Sequence, residues 1–183
     1  MHADATRWDD RYRAASPPGP RAPDAVGARA DLIELLPDTG VAIDIACGLG
    51  SQSLWLAQRG LDVVALDVSP IAIEALTAAA NAAGLADRID ARVTDLDIGL
   101  PAEPTTADVI VCQRFRQPSI YAQIVERLVV GGIAIVTVLS EVGADSPGPF
   151  HAPPGELVAA FGEFDILDAH EPALPCVARI EVA

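Results

Sequence analysis

Residues 41–53 read VAIDIACGLGSQS, and the fold turns on them. Val41 to Ala46 form an apolar run interrupted only by Asp44, the composition of a strand buried on both faces of a parallel sheet. The run enters a turn carrying Gly48 and Gly50, where a missing Cβ lets backbone approach a ligand closely. From Ser51 the chain places Leu54, Leu56 and Ala57 in a helix-like segment and stops at Gly60, a suitable C-cap. Strand, glycine turn and helix in this order predict a βα unit whose helix start presents unpaired amides to whatever the turn holds. A carboxylate or a pyrophosphate would suit those amides.

Outward from this unit the alternation continues. LDVVALD (61–67) predicts a second strand, and Ser69 with Pro70 opens a helix whose Ile73, Leu76 and Ala80 share a face until Gly84. IDARVTD (89–95) predicts a third strand and ADVIVCQ (107–113) a buried fourth. A helix with Ile120, Ile124 and Leu128 on one stripe is predicted to end at Gly131-Gly132, before a fifth strand, IAIVTVLS (133–140). After a Pro- and Gly-rich loop come a short helix around Glu156 to Phe161 and two strand-like runs, FDILDAHE (164–171) and VARIEV (177–182). Their short connection predicts an antiparallel hairpin. The expectation is an α/β, Rossmann-like three-layer sandwich with a seven-stranded, mostly parallel sheet ending in that hairpin.

Composition narrows the chemistry. The chain has 183 residues, 12 basic against 26 acidic side chains, and a formal charge of −14, which opposes binding to nucleic-acid phosphates. All 12 basic residues are arginine, so a phosphate-loop lysine or a Schiff base is excluded. Cys47, Cys112 and Cys176 are scattered, as are His2, His151 and His170, and neither set has metal-site spacing. No metal is expected. The charged start MHADATRWDDRYR lacks an apolar core, and no run reaches membrane-spanning length, so a cytoplasmic protein is expected.

Two acids sharpen the reading of the turn. Asp67 ends the second strand, where a carboxylate can accept from both ribose hydroxyls of an adenosine. Asp44 sits inside the first strand, where its charge is costly unless hydrogen-bonded or faced by a cation. DIACGLG (44–50), Asp67 and TDL (94–96) resemble, in order, the three cofactor motifs of class I S-adenosylmethionine-dependent methyltransferases. The resemblance implies S-adenosylmethionine as cofactor. It puts Asp44 and Gly48 to Gly50 at the methionyl end, Asp67 and Val68 at ribose and adenine, and Asp95 and Leu96 at adenine. Ala46, Cys47 and Cys112 are expected to line the cofactor cleft, although the two cysteines also suit core packing.

RWDDRYR (7–13), RFRQPSIY (114–121) and PGELVAAF (154–161) further resemble segments of the small bacterial methyltransferases grouped with the tellurite-resistance protein TehB. Gln117-Pro118 departs from that group, where Arg-Pro is more familiar. Trp8 and Tyr12, at i, i+4, would cover either a core or the cofactor. Residues 1–23, a helix and the Pro-rich SPPGPRAP (16–23), would act as a lid or be plain helix and loop, and 24–183 form the Rossmann-like core. The whole of 1–183 is expected to be one methyltransferase domain.

The implied activity is methyl transfer by in-line displacement to a small-molecule acceptor, for which a dedicated base is optional. His151 is the only histidine near the predicted cleft and the candidate base, or else a solvated loop residue. Arg114 would orient an anionic substrate or pair with a neighbouring acid. Phe115 and Tyr121 would form an apolar wall or join the core. The oligomeric state is open. A cofactor-binding protein without turnover is the alternative. A short-chain reductase lacks its Tyr-x-x-x-Lys, and a base methyltransferase its Pro-Pro-aromatic turn, since CQRF (112–115) stands there.

Overall fold

The computed structural model describes residues 3–16, 19–23, 30–148, 150–169 and 176–179. In it β1 (Val41–Ile45) lies inside a sheet, flanked on one side by β2 (Asp62–Asp67) and on the other by β4 (Ala107–Gln113). Both neighbours are parallel to it, with Asp44 opposite Ala65 and Val111. β3 (Ile89–Val93) adds outside β2, and β5 (Leu128–Thr137) outside β4. The order reverses beside β1, so a crevice opens at the carboxyl ends of β1 and β4, where open parallel sheets bind ligands. This is an α/β, Rossmann-like fold. Beyond β5, β9 (Cys176–Arg179) and then β8 (Asp165–Ala169) pair antiparallel, giving the order β3-β2-β1-β4-β5-β9-β8.

The alternation of β1 side chains divides the core. Ile43 and Ile45 pack among Ile110, Ile120, Ile124 and Phe161, under α5 (Tyr121–Arg127) and α6 (Glu156–Phe161). Ala42 packs on the opposite face with Leu32 and Leu36 from and beside α2 (Ala30–Glu34) and Leu56 of α3 (Ser51–Arg59). α4 (Pro70–Ala83) closes that face over β2 and β3 through Ile73, Leu76 and Ala80. Its start matches the sequence reading: Ser69 Oγ accepts from the Ala72 amide, Pro70 stands in the first turn, and Gly84 ends the helix. α1 (Ala3–Arg13) lies against α4.

Three local expectations are corrected. The helix carrying Ile120 and Ile124 ends at Arg127, and β5 already begins at Leu128, opposite Ala107. Pairing resumes only at Ile133 with Val109, and Gly131 at φ +80° takes up the irregularity between them. The glycines therefore interrupt a strand rather than end a helix. The fifth strand also stops at Thr137. Leu139–Ser140 (β6), expected to continue the fifth strand, instead pairs in parallel with His151–Ala152 (β7) of the Pro- and Gly-rich loop as a second, two-stranded sheet.

His2, His170, Pro17 and Pro18 of the proposed hinge, and residues 180–182 of the last strand-like run lie outside the described residues. Among the described residues no helix is long and apolar enough to cross a membrane.

Candidate active site

The crevice is a cleft of about 850 Å³, within the size range of small-molecule and cofactor sites. Its floor is the β1–α3 turn. Gly48 stands at φ +55° and Gly50 at φ +84°, and the Gly50 amide donates to the Cys47 carbonyl at 3.0 Å to close the turn. A Cβ on Gly48 would come within 3.1 Å of the Tyr12 hydroxyl, and one on Gly50 within 2.2 Å of Leu76 Cδ1. The turn is thus roofed by α1 and packed on α4, tightly at Gly48 and with no room for a side chain at Gly50.

Asp67, 4% exposed at the end of β2, holds the turn from the side. Its Oδ2 accepts from the Gly48 amide and its Oδ1 from the Ser69 amide, both at 2.9 Å. Burial raises its pKa, and these amide bonds oppose the rise. Ser69 extends the arrangement, because its hydroxyl donates to Asp9 Oδ1 of α1 at 2.5 Å. Asp9, Ser69, Asp67 and Gly48 therefore form one hydrogen-bonded chain from the N-terminal helix to the glycine turn.

Asp44 is 2% exposed and accepts from Ser53 Oγ at 2.5 Å, which supplies the partner a buried carboxylate requires. Burial nonetheless pushes its pKa up to about 7, with the nearby Asp67 charge acting in the same direction and the Ser53 bond against it. Asp95 caps the short turn Leu96–Ile98 after β3 by accepting from the Asp97 amide at 3.0 Å. Ala46 and Arg114, directly after β1 and β4, are non-glycine residues at φ +55° and +56°. Such backbone costs roughly 1–3 kcal/mol and concentrates at functional sites. The Arg114 amide is held there by the Thr137 carbonyl at 2.8 Å and its hydroxyl at 2.9 Å.

Most of the residues singled out in the sequence converge on this cleft. Trp8, Tyr12, Asp44, Ala46, Cys47, Gly48, Gly50, Asp67, Val68, Asp95, Leu96 and Arg114 all line it. Trp8 and Tyr12 stack with ring centroids 5.8 Å apart. Two residues follow their alternative readings, Cys112 in the core and His151 in its loop. Cys112 is not a lining residue: it is 1% exposed in the α5/α6 core, its thiol directed at the Phe115 carbonyl and its pKa pushed up to about 12 by burial. His151 does not line the cleft either. Its Nδ1 accepts from the Gly148 amide at 3.0 Å and organises its own loop beside β7, so it is not placed as a base. Phe115 lines the cleft, whereas Tyr121 is buried beside Phe161 and donates to Glu156.

The sequence reading missed Ser53, Ser69 and Asp9 as partners, although Ser69 was identified as a cap and Asp9 lies in RWDDRYR. It also missed Arg7, Arg11, Arg21, Arg116 and Phe150 as lining residues. Spacing alone offered a partial signal in the i, i+4 pair Arg7 and Arg11.

The glycine cradle, the carboxylates at the ends of β1 and β2 and the volume fit S-adenosylmethionine. Residues 42–132 match the model of a methyltransferase domain family. By fold the chain is similar to TehB from Haemophilus influenzae, with TM-score 0.68 and 21% identity over 99% of this chain, which spans 63% of that chain's length. It is also similar to a SAM-dependent methyltransferase from Methanosarcina mazei, with TM-score 0.66, 18% identity, and coverage of 84% of this chain and 98% of that one. A third similar structure belongs to work on converting a disulfide bond into a thioacetal group in echinomycin biosynthesis, with TM-score 0.68, 21% identity, and coverage of 97% and 92%. No curated protein matches the chain by sequence. The family match, spanning β1 through the glycines of β5, makes residues 42–132 a methyltransferase-domain match, and the chain around it shares the fold of TehB and of the Methanosarcina mazei SAM-dependent methyltransferase.

Proposed function

We propose that the protein methylates a small-molecule acceptor, and that residues 1–183 act as one domain with α1 as a cover over the cofactor. The observation that carries this reading is the roofed cleft itself. α1 crosses the glycine turn with Tyr12 above Gly48, leaving a bounded space suited to a small acceptor. The net charge of −14 adds a barrier against polynucleotide acceptors.

When bound, S-adenosylmethionine supplies a methyl group on a sulfonium: the acceptor's lone pair forms the new bond as the carbon–sulfur bond breaks, its electron pair staying on sulfur. The chain's residues contribute position and electrostatics. Asp67 would accept from the ribose hydroxyls while keeping the Gly48 amide in place. Asp44 would face the cationic methionyl end, the partner that stabilises its ionised form. Asp95 and Leu96 would border the adenine, with Val68 beside the ribose. Trp8 and Tyr12 would exclude water above the reacting atoms, which strengthens electrostatic interactions and enforces in-line approach. No side chain here is assigned as a general base, and a proton on the attacking atom would leave to solvent.

Parallel calorimetric titrations with S-adenosylmethionine, S-adenosylhomocysteine and NADH test the cofactor part. Binding of the two sulfur nucleotides alone, in the micromolar range, is expected. A folded sample that binds neither would refute it. Formation of S-adenosylhomocysteine with small acceptors then tests turnover.

A further inference from the structure

The cleft is divided by charge. Its acids, Asp44, Asp67, Asp95 and Asp97, stand on the β1–β2–β3 half, and no arginine that lines it follows those strands. Its arginines come from elsewhere: Arg7 and Arg11 from α1, Arg21 from the segment after it, and Arg114 and Arg116 from the loop after β4. Five of the chain's 12 basic residues thus converge on one cleft of a protein with charge −14. The acids suit the cofactor, whose ribose hydroxyls donate and whose methionyl end is cationic. The amides at the start of α3 suit the cofactor's carboxylate and Arg116 is already bound by Glu156, which leaves Arg7 and Arg11 of α1 to the acceptor.

Arg7 and Arg11 are arranged as a ladder. The Arg7 guanidinium lies 5.8 Å from the Trp8 ring centroid and 5.0 Å from that of Phe150, and Arg11 lies 5.3 Å from Trp8. Phe150 belongs to the segment between β6 and β7, so Arg7 joins α1 to the β5 side of the cleft mouth. Stacking of this kind holds a guanidinium plane while leaving its N–H edge directed outward. The cleft is also lined by the apolar side chains of Phe115, Val138 and Leu139. A bare inorganic oxyanion uses the arginines but not the apolar wall, and a neutral apolar molecule uses the wall but not the arginines.

Building on the methyltransferase reading above, we propose that the acceptor is a small organic anion with an apolar body, its carboxylate held by Arg7 and Arg11 in the cleft.

The test uses the full chain and matched acceptors: 4-mercaptobenzoate with thiophenol, 4-hydroxybenzoate with phenol, and 4-aminobenzoate with aniline, alongside tellurite and selenite. S-adenosylhomocysteine formation is read by mass spectrometry. At least one carboxylate is expected to exceed its neutral partner by about tenfold or more in kcat/KM, the scale of one charge-assisted hydrogen bond. That advantage should shrink with added salt. The double variant Arg7→Gln/Arg11→Gln should abolish it through KM while S-adenosylmethionine affinity, which also reports folding, stays within about twofold. Turnover confined to neutral arenes or to tellurite and selenite, or no turnover of any carboxylate by protein that binds S-adenosylmethionine, overturns the proposal. Loss of S-adenosylmethionine binding in the unmodified chain would instead overturn the methyltransferase reading itself.

Discussion

Replacing Gly50 by alanine tests the architecture of the site at its narrowest point. The residue stands at φ +84°, and its new Cβ would lie 2.2, 2.8 and 2.9 Å from Cδ1, Cγ and Cδ2 of Leu76. Leu76 is fully buried, so its side chain has no solvent to retreat into. Two costs combine: roughly 1–2 kcal/mol for a left-handed alanine and about 1–3 kcal/mol for overpacking. Gly84→Ala is the internal control, because Gly84 is also left-handed, at φ +70°, yet a Cβ there meets nothing within 4 Å. The two variants share the dihedral cost and differ in the overlap. Urea unfolding followed by circular dichroism should place Gly50→Ala about 1–3 kcal/mol below Gly84→Ala, a midpoint shift on the order of 1 M. Adding Leu76→Ala removes the overlapping atoms, so the double variant should be less destabilised than the sum of its singles by about 0.5–3 kcal/mol. Equal stability of the two glycine variants, with additive behaviour of the Leu76 pair, would refute the packing of the turn against α4.

Asp44 makes apo stability depend on pH. Its folded pKa, near 7, lies above its unfolded value of 3.8, so the native state binds more protons between those limits and stability falls as pH rises from 4 to 7; denaturation midpoints should show this slope, and Asp44→Asn should remove that component. A cationic ligand favours the ionised form, so S-adenosylmethionine affinity should rise through pH 7 with proton release, measurable by calorimetry in buffers of different ionisation enthalpy. Asp67→Ala should weaken S-adenosylmethionine binding by roughly 1.5–3 kcal/mol, the value of charge-assisted hydrogen bonds, and unchanged affinity would contradict the ribose assignment. Glu156 accepts from both Arg116 and Tyr121 in a partly buried setting, so Glu156→Ala should cost about 1–3 kcal/mol in unfolding experiments. His151→Ala should leave kcat within about twofold under saturating acceptor, because its imidazole serves the Gly148 amide rather than the cleft.

The order of the elements and the place of the cofactor motifs were legible along the chain because they rest on local physics. A doubly buried strand must be continuously apolar, so Asp44 within VAIDIA stood out as an exception that needed a reason. A glycine turn leading into a helix, and Ser69-Pro70 opening another, encode dihedrals and caps within a few residues. The acid at the end of β2 was readable for the same reason, once the strand's end was located.

Interactions between distant segments were not legible. Nothing in the order of residues ties Asp9 to Ser69, Asp44 to Ser53, or Arg7 to Phe150, because each contact depends on how α1, α3 and the β6–β7 segment dock on the sheet. The same applies to the errors. Gly131-Gly132 resemble a helix stop locally, and only pairing with β4 makes Leu128 a strand residue. His151 lay on the correct side of the fold by sequence, yet a single bond to the Gly148 amide directs it to its own loop. Local sequence determined the strands, turns and caps through backbone preference and hydrophobic periodicity; the tertiary structure decided which charges meet, because that depends on side-chain geometry across elements far apart in the chain.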